Sequence, residues 1–118
     1  AILLSVTSSW LQAAATAEKL LFAALHEPAT GVRSRALRAI ADMVLNEPSL
    51  LLIAELRAGV INRFVDTAPS VREAAVDVVG KALEHAPNQV TRSALADDYL
   101  EALSGRAHDT AVSVRKRA

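Results

Sequence analysis

The stretch Asp66-Thr-Ala-Pro-Ser-Val-Arg-Glu-Ala-Ala-Val-Asp-Val-Val79 decides how this chain folds. An acid suited to a helix end leads into a turn with proline, then Val-Arg, then apolar residues at helical spacing. The pattern returns in shorter form as Asp109-Thr-Ala-Val-Ser-Val-Arg-Lys-Arg-Ala118. A weaker version comes earlier, as Glu27-Pro-Ala-Thr-Gly-Val-Arg-Ser-Arg-Ala-Leu-Arg-Ala-Ile40. In each, the acid (Glu27, Asp66, Asp109) stands six residues before an arginine (Arg33, Arg72, Arg115). The Val-Arg steps at 32, 71 and 114 are separated by 39 and 43 residues.

Self-similarity at this period marks a helical-pair solenoid of the HEAT or armadillo type. The expected fold is therefore all-α: an α-solenoid of HEAT-type antiparallel helix pairs. It holds about three repeats, near 7–46, 48–86 and 91–118, the last of them truncated. Composition agrees. Hydrophobic residues make up 52% of the 118 and aromatics only 3%, so burial must come from Ala, Val, Leu and Ile, which suit close helix packing. Thirteen basic and thirteen acidic residues cancel, so any electrostatic partner is read by a local face and not by an overall field. The absence of cysteine excludes disulfide staples and thiolate metal sites and suits a reducing compartment. No run approaches the roughly 18 apolar residues of a membrane helix. The first residue is not methionine, and the last few open a helix without completing it, as expected of a piece of a longer solenoid.

Six helices are expected. The first runs from about Thr7 to Leu25, with Trp10, Ala14, Ala17, Leu21 and Leu25 on one face. The second spans roughly Gly31 to Asn46, with Thr30 as a cap; Val32, Ala36, Ile40, Met43 and Val44 point inward and Arg35, Arg38 and Asp42 outward. Ser49 to Ile53 is either a short helix or the start of one reaching Val65. The fourth opens at Pro69 or Ser70, where Ser70 and Glu73 fit a capping box. Val71, Ala75, Val78, Val79 and Ala82 face its inside, and Glu73, Asp77 and Lys81 its outside. Asn88 to Ser93 reads as a polar insertion. The fifth helix then covers about Ala94 to Ala107, burying Leu95, Tyr99, Leu100 and Leu103. The sixth begins near Ala111.

The repeated acid and arginine point first to structure. Val32, Val71 and Val114 anchor each second helix, while Arg33, Arg72 and Arg115 bind an acid or helix-end carbonyls in a neighbouring turn. Stacked repeats then build a ladder from Glu27, Arg33, Asp66, Arg72 and Asp109. A binding role for the same arginines is the alternative. Among the basic residues outside this pattern, Arg35 and Arg38 stand on the outer face of the second helix, and a cluster continues past the arginine at 115, Arg115-Lys116-Arg117. Phosphate contact needs only clustered Lys and Arg on one face, so these five are the candidate DNA- or partner-binding residues. A merely solvated helix face is the alternative. No recognition-helix motif or aromatic platform accompanies them. His26, His85 and His108 sit at expected helix ends, with no metal-ligand spacing among them. No nucleophile motif, phosphate loop or cofactor signature is present, and no cofactor is expected.

Asn46-Glu-Pro-Ser-Leu50, Val60 to Gly80 and His108 to Ala118 together resemble the HEAT-repeat region of the adherin family. These are the Nipped-B-like cohesin-loading subunits of sister chromatid cohesion. The specific part is an Asp-x-x-x-Ser-Val-Arg-Glu-Ala-Ala turn followed one repeat later by an Asp-Thr-x-x-Ser-Val-Arg-Lys-Arg turn. Arg33 to Ile40 is similar to the family's preceding repeat. The resemblance implies a non-enzymatic, nuclear, chromatin-associated scaffold that binds DNA and the cohesin ring and stimulates the ring's ATPase. It also implies a small helical partner, bound outside this stretch. Competing assignments are another HEAT scaffold (a nuclear-transport receptor, a phosphatase scaffold or a condensin subunit) and a HEAT-like DNA glycosylase. Base chemistry wants aromatic stacking and a lined pocket, which two Phe, one Tyr and one Trp scarcely supply.

Overall fold

A computed structural model describes residues 19–117 of the chain, the side chains at 113 and 117 excepted. Residues 19–24 are helical and form the end of α1. There follow α2 (Thr30–Asn46), a 3₁₀ turn (Pro48–Leu52), α3 (Ala54–Arg63), α4 (Pro69–Glu84), α5 (Gln89–Arg106) and α6 (Val112–Arg117). The described residues contain no strand. Trp10, Ala14 and Ala17, expected on the inner face of the first helix, lie outside the described residues.

The helices form two rows. In one, α2 packs on α4 and α4 on α6; the 3₁₀ turn wedges against α2, α3, α4 and α5. The extents of 56 × 36 × 19 Å give a slab about two helix diameters thick. The radius of gyration of 15.1 Å exceeds the roughly 13 Å of a compact domain of this length. This is a stack of helix pairs, an α-solenoid.

Aliphatic residues at i, i+3, i+4 and i+7 carry the packing, as helical periodicity requires. Leu37, Ile40 and Val44 of α2 are buried, as are Val71, Ala75, Val78, Val79 and Ala82 of α4 and Val114 of α6. Val32 and Met43 are only half-buried. Leu51 brings the 3₁₀ turn into the same core, and its carbonyl accepts the Tyr99 hydroxyl at 2.7 Å. Burial of that ring drives the Tyr99 phenol well above its ordinary pKa.

Of the two readings left open after Ser49, the short helix holds: residues 48–63 form two elements, because Ile53 is extended (φ −67°, ψ 124°) and interrupts them. Several other local expectations need correction. No capping box forms at Ser70: Pro69 already occupies the first helical turn, and the N-cap is Ala68, which has no side-chain oxygen. Thr30 likewise falls inside α2, with Ala29 as the cap. The insertion at 88–93 is mostly helix. The Asn88 side-chain oxygen accepts from the Thr91 amide at 2.8 Å and starts α5 at Gln89. Leu100 is 61% exposed, because the buried face of α5 runs through Leu95 and Tyr99.

Candidate functional site: an inter-layer ladder and two basic faces

Each corner between paired helices is organised around one aspartate. After α3 the chain turns at Asp66, whose Oδ1 accepts from the Ala68 amide at 2.9 Å, a side chain closing its own turn. Arg63, one turn back, donates to Oδ2 at 2.9 Å. Arg33 reaches across from the preceding layer. Its Nε meets Oδ2 at 2.8 Å and its Nη2 meets Oδ1 at 3.1 Å, a two-pronged pairing that only a guanidinium supplies. The remaining prong, Nη1, caps the preceding corner by donating to the carbonyls of Glu27 and Pro28, both at 2.8 Å.

The second corner repeats this atom for atom. Asp109 accepts from the Ala111 amide at 2.8 Å and from Arg106 at 2.8 Å. It also accepts from Arg72 Nε at 2.7 Å and Arg72 Nη2 at 3.0 Å. Arg72 Nη1 donates to the carbonyls of Asp66 and Thr67, at 2.7 and 3.3 Å. Arg33, Asp66, Arg72 and Asp109 are all buried. A charge taken out of water is tolerated only when paired and hydrogen-bonded, and here each carboxylate accepts four bonds. Burial pushes the Asp66 carboxyl up, but Arg33, the Ala68 amide and Arg63 outweigh it and hold the group below its ordinary value. The Arg72 pairing dominates at Asp109 and holds that carboxyl down at about 2. The partnership in turn raises Arg72.

Glu27 departs from the pattern. It is exposed and contributes a main-chain carbonyl, and among the described residues its carboxylate has no partner. Arg63 and Arg106 escaped sequence reasoning, although the signal was present. Both stand three residues before the corner aspartate and they are 43 residues apart, matching one spacing of the Val-Arg steps.

The basic candidates do not form one cluster. Arg35 and Arg38 are exposed on α2. Arg35 Nε donates back to the Gly31 carbonyl at 3.2 Å. Arg38 lines a groove between α2 and α4 together with Ser70, Glu73 and Asp77, so carboxylates share its surroundings. Arg115 and Lys116 are exposed on α6, at the far end of the stack. Arg115 Nη1 caps its own corner at the carbonyls of Asp109 and Thr110, 2.6 and 3.3 Å away. The Arg117 side chain lies outside the described residues. His26 and His85 donate Nδ1 to the carbonyls of Phe22 and Lys81, at 2.9 and 3.0 Å, as helix-end groups. Among the described residues no group of three or more His, Cys, Asp or Glu is placed to hold a metal ion. No helix among them is long and apolar enough to cross a membrane.

Both corner aspartates, Asp66 and Asp109, fall within a family model described as "HEAT repeat associated with sister chromatid cohesion", which matches residues 38–79 and 96–118. The chain is 42% identical over 99 residues to the Nipped-B protein of Drosophila melanogaster, covering 84% of this chain and 4% of that protein. It is 38% identical over 93 residues to the Nipped-B-like protein of Homo sapiens, covering 79% of this chain and 3% of that one. The Caenorhabditis elegans Nipped-B-like protein scc-2 is 30% identical over 98 residues, 83% of this chain and 4% of its own. The chain thus spans only a few per cent of the length of these relatives.

Proposed function

Because this chain belongs to the family of HEAT repeats associated with sister chromatid cohesion, we propose that it is a non-enzymatic scaffold segment of a cohesin-loading protein. It acts in the nucleus on chromatin, holding surfaces that contact the cohesin ring and DNA in fixed relation while the ring's ATPase is stimulated during loading. The small helical partner of such a loader binds elsewhere on the longer protein. The observation that carries this reading is the pair of buried arginine–aspartate corners, whose aspartates Asp66 and Asp109 both lie inside the matched residues. They serve to fix one layer against the next.

Within that scaffold, Arg35, Arg38, Arg115, Lys116 and Arg117 are the proposed contacts to DNA or cohesin. Their spread over two ends of the stack suits backbone or protein-surface contact. Base stacking is not supported by Tyr99, which is fully buried. Glu73 and Asp77 beside Arg38 favour a mixed-charge protein partner at that groove over a bare phosphate run. The test is charge reversal in the full-length loader. Arg35→Glu with Arg38→Glu is expected to weaken DNA or cohesin binding and to change its salt dependence. Unchanged affinity for both across a salt series removes these two residues from the contact surface. Failure of the full-length protein to co-purify with cohesin subunits removes the loader assignment itself.

A further inference from the structure

We propose that the cleft between α3 and α5 is a docking site for a short basic–apolar segment of a partner protein. One apolar side chain of that segment is anchored in the cleft and a lysine or arginine beside it is set on Glu101. The cleft measures about 410 Å³, within the roughly 300–1,000 Å³ of clefts that hold ligands. Ile61 of α3, with Phe64 and Val65 just beyond its end, walls one side, and Ala102, Gly105 and Arg106 of α5 the other. Small residues leave the room. Ala102 and Gly105 stand three residues apart, hence on one face of α5, and a methyl group on Gly105 would meet nothing within 4 Å. Across from them Val65 is 71% exposed, an aliphatic side chain that the stack's own packing leaves in water. Successive helices of the α2–α4–α6 row pack directly on one another, whereas this joint stays open.

Charge on the walls selects the occupant. Between Arg92 and Arg106, α5 carries Asp97, Asp98 and Glu101 and no basic residue. Asp98 lines the cleft and already takes a cation, since Arg57 Nη1 lies 3.1 Å from its Oδ2. Arg106, at the other end, is committed to Asp109 at 2.8 Å. Glu101 stands one turn beyond Asp98 on the same wall and is exposed, and among the described residues no cation pairs with it. The open charge on this cleft is therefore negative, and Arg57 on Asp98 shows the kind of group this wall accepts. A segment with a cation beside its apolar anchor satisfies both features at once. An acidic segment or a nucleic-acid backbone would meet Glu101 with like charge. Glu101 also stands four residues after Asp97 and three after Asp98, a like-charge arrangement that weakens a helix by itself and that a docked cation relieves.

The test titrates the full-length protein with short fluorescent peptides. Each holds one Leu, Met or Phe and one Lys at successive spacings in an Ala-Ser-Gly background, and a matched series carries Glu for Lys. At least one Lys peptide is expected to bind, about tenfold more tightly than its Glu counterpart. Glu101→Lys is expected to invert that preference. Gly105→Leu fills the cleft from a position with room for a side chain and is expected to abolish binding of both series. Deuterium exchange of the α4 amides should stay as slow as in the unaltered protein, which reports an intact stack. Failure of every peptide to bind overturns the proposal, and so does binding that survives Gly105→Leu. Binding with no charge preference, or a preference that Glu101→Lys leaves unchanged, overturns the basic character of the partner. Self-association of the protein that Gly105→Leu abolishes would make the occupant a second copy and overturn the partner segment. None of these readouts involves cohesin or DNA, so their failure is distinct from failure of the loader assignment.

Discussion

At the scale of single residues, the aspartates at 66 and 109 are the most exacting positions. Each closes its own turn, holds an arginine of its own helix and receives a fork from the preceding layer. Removing the charge from Asp109 leaves the Arg72 guanidinium buried with half its partners gone. Asp109→Asn is expected to cost about 3 kcal/mol or more in urea unfolding, against well under 1 kcal/mol for Asp42→Asn on the exposed face of α2. The same corners set the acid response. Both carboxyls sit below their unfolded values, Asp109 at about 2, so the stability they confer is complete above the unfolded carboxylate pKa of about 4. It is lost as pH falls from there towards 2, because the unfolded state then binds protons the folded state refuses. Thermal midpoints measured across that window should fall for the unaltered chain and fall less for Asp109→Asn. Six-residue acid–arginine spacing revealed these residues in the sequence. It left open whether an arginine binds an acid or helix-end carbonyls, and one guanidinium does both.

The elements differ in how tightly they are held. Glycines in three of the helices report this directly. A methyl group on Gly80 or Gly105 would meet nothing within 4 Å, whereas on Gly59 it would lie 3.0 Å from Leu25 Cδ1. Gly80→Ala and Gly105→Ala are expected to stabilise by roughly 0.5–1 kcal/mol each through helix propensity. Gly59→Ala should lose that gain to the clash with Leu25, all three read from chemical denaturation. One side-chain hydrogen bond adds to the packing of the 3₁₀ turn on α5, so Tyr99→Phe leaves the buried Leu51 carbonyl short of its partner and should cost about 1–3 kcal/mol. Periodicity in the sequence located α2 and α4 nearly to the residue. It placed the start of α5 too late because Asn88 was read as loop when it is a cap. Leu100, one residue past the buried Tyr99, was set on the inner face although the helix turns it about 100° away. The break at Ile53 stayed one of two readings, since an apolar run of this length reads the same as helix or as a packed turn.

The whole molecule is quasi-one-dimensional, and its stability is a sum over layers and joints. Among the described elements α4 packs against α2, α3, α5, α6 and the 3₁₀ turn. Its central amides should therefore be the slowest to exchange with deuterium, with those of α5 and α6 faster; equal rates throughout would mean the stack opens as one unit. Stacking was legible from the period. The neutral total charge was legible as well, but only the coordinates show Arg38 sharing its groove with Glu73 and Asp77. The two rows also differ in tightness. On the α2–α4–α6 side successive helices pack directly. Between α3 and α5 an open cleft remains, walled by Ile61, Phe64, Val65 and Ala102, and the half-buried Arg57–Asp98 pair joins the two helices. Such a stack behaves like a bound book, its spine along the close-packed row and the pages free to fan at the cleft. Tension or torque on a long array of these layers would change its curvature through many small openings of that kind, while every buried arginine stayed clasped to its aspartate.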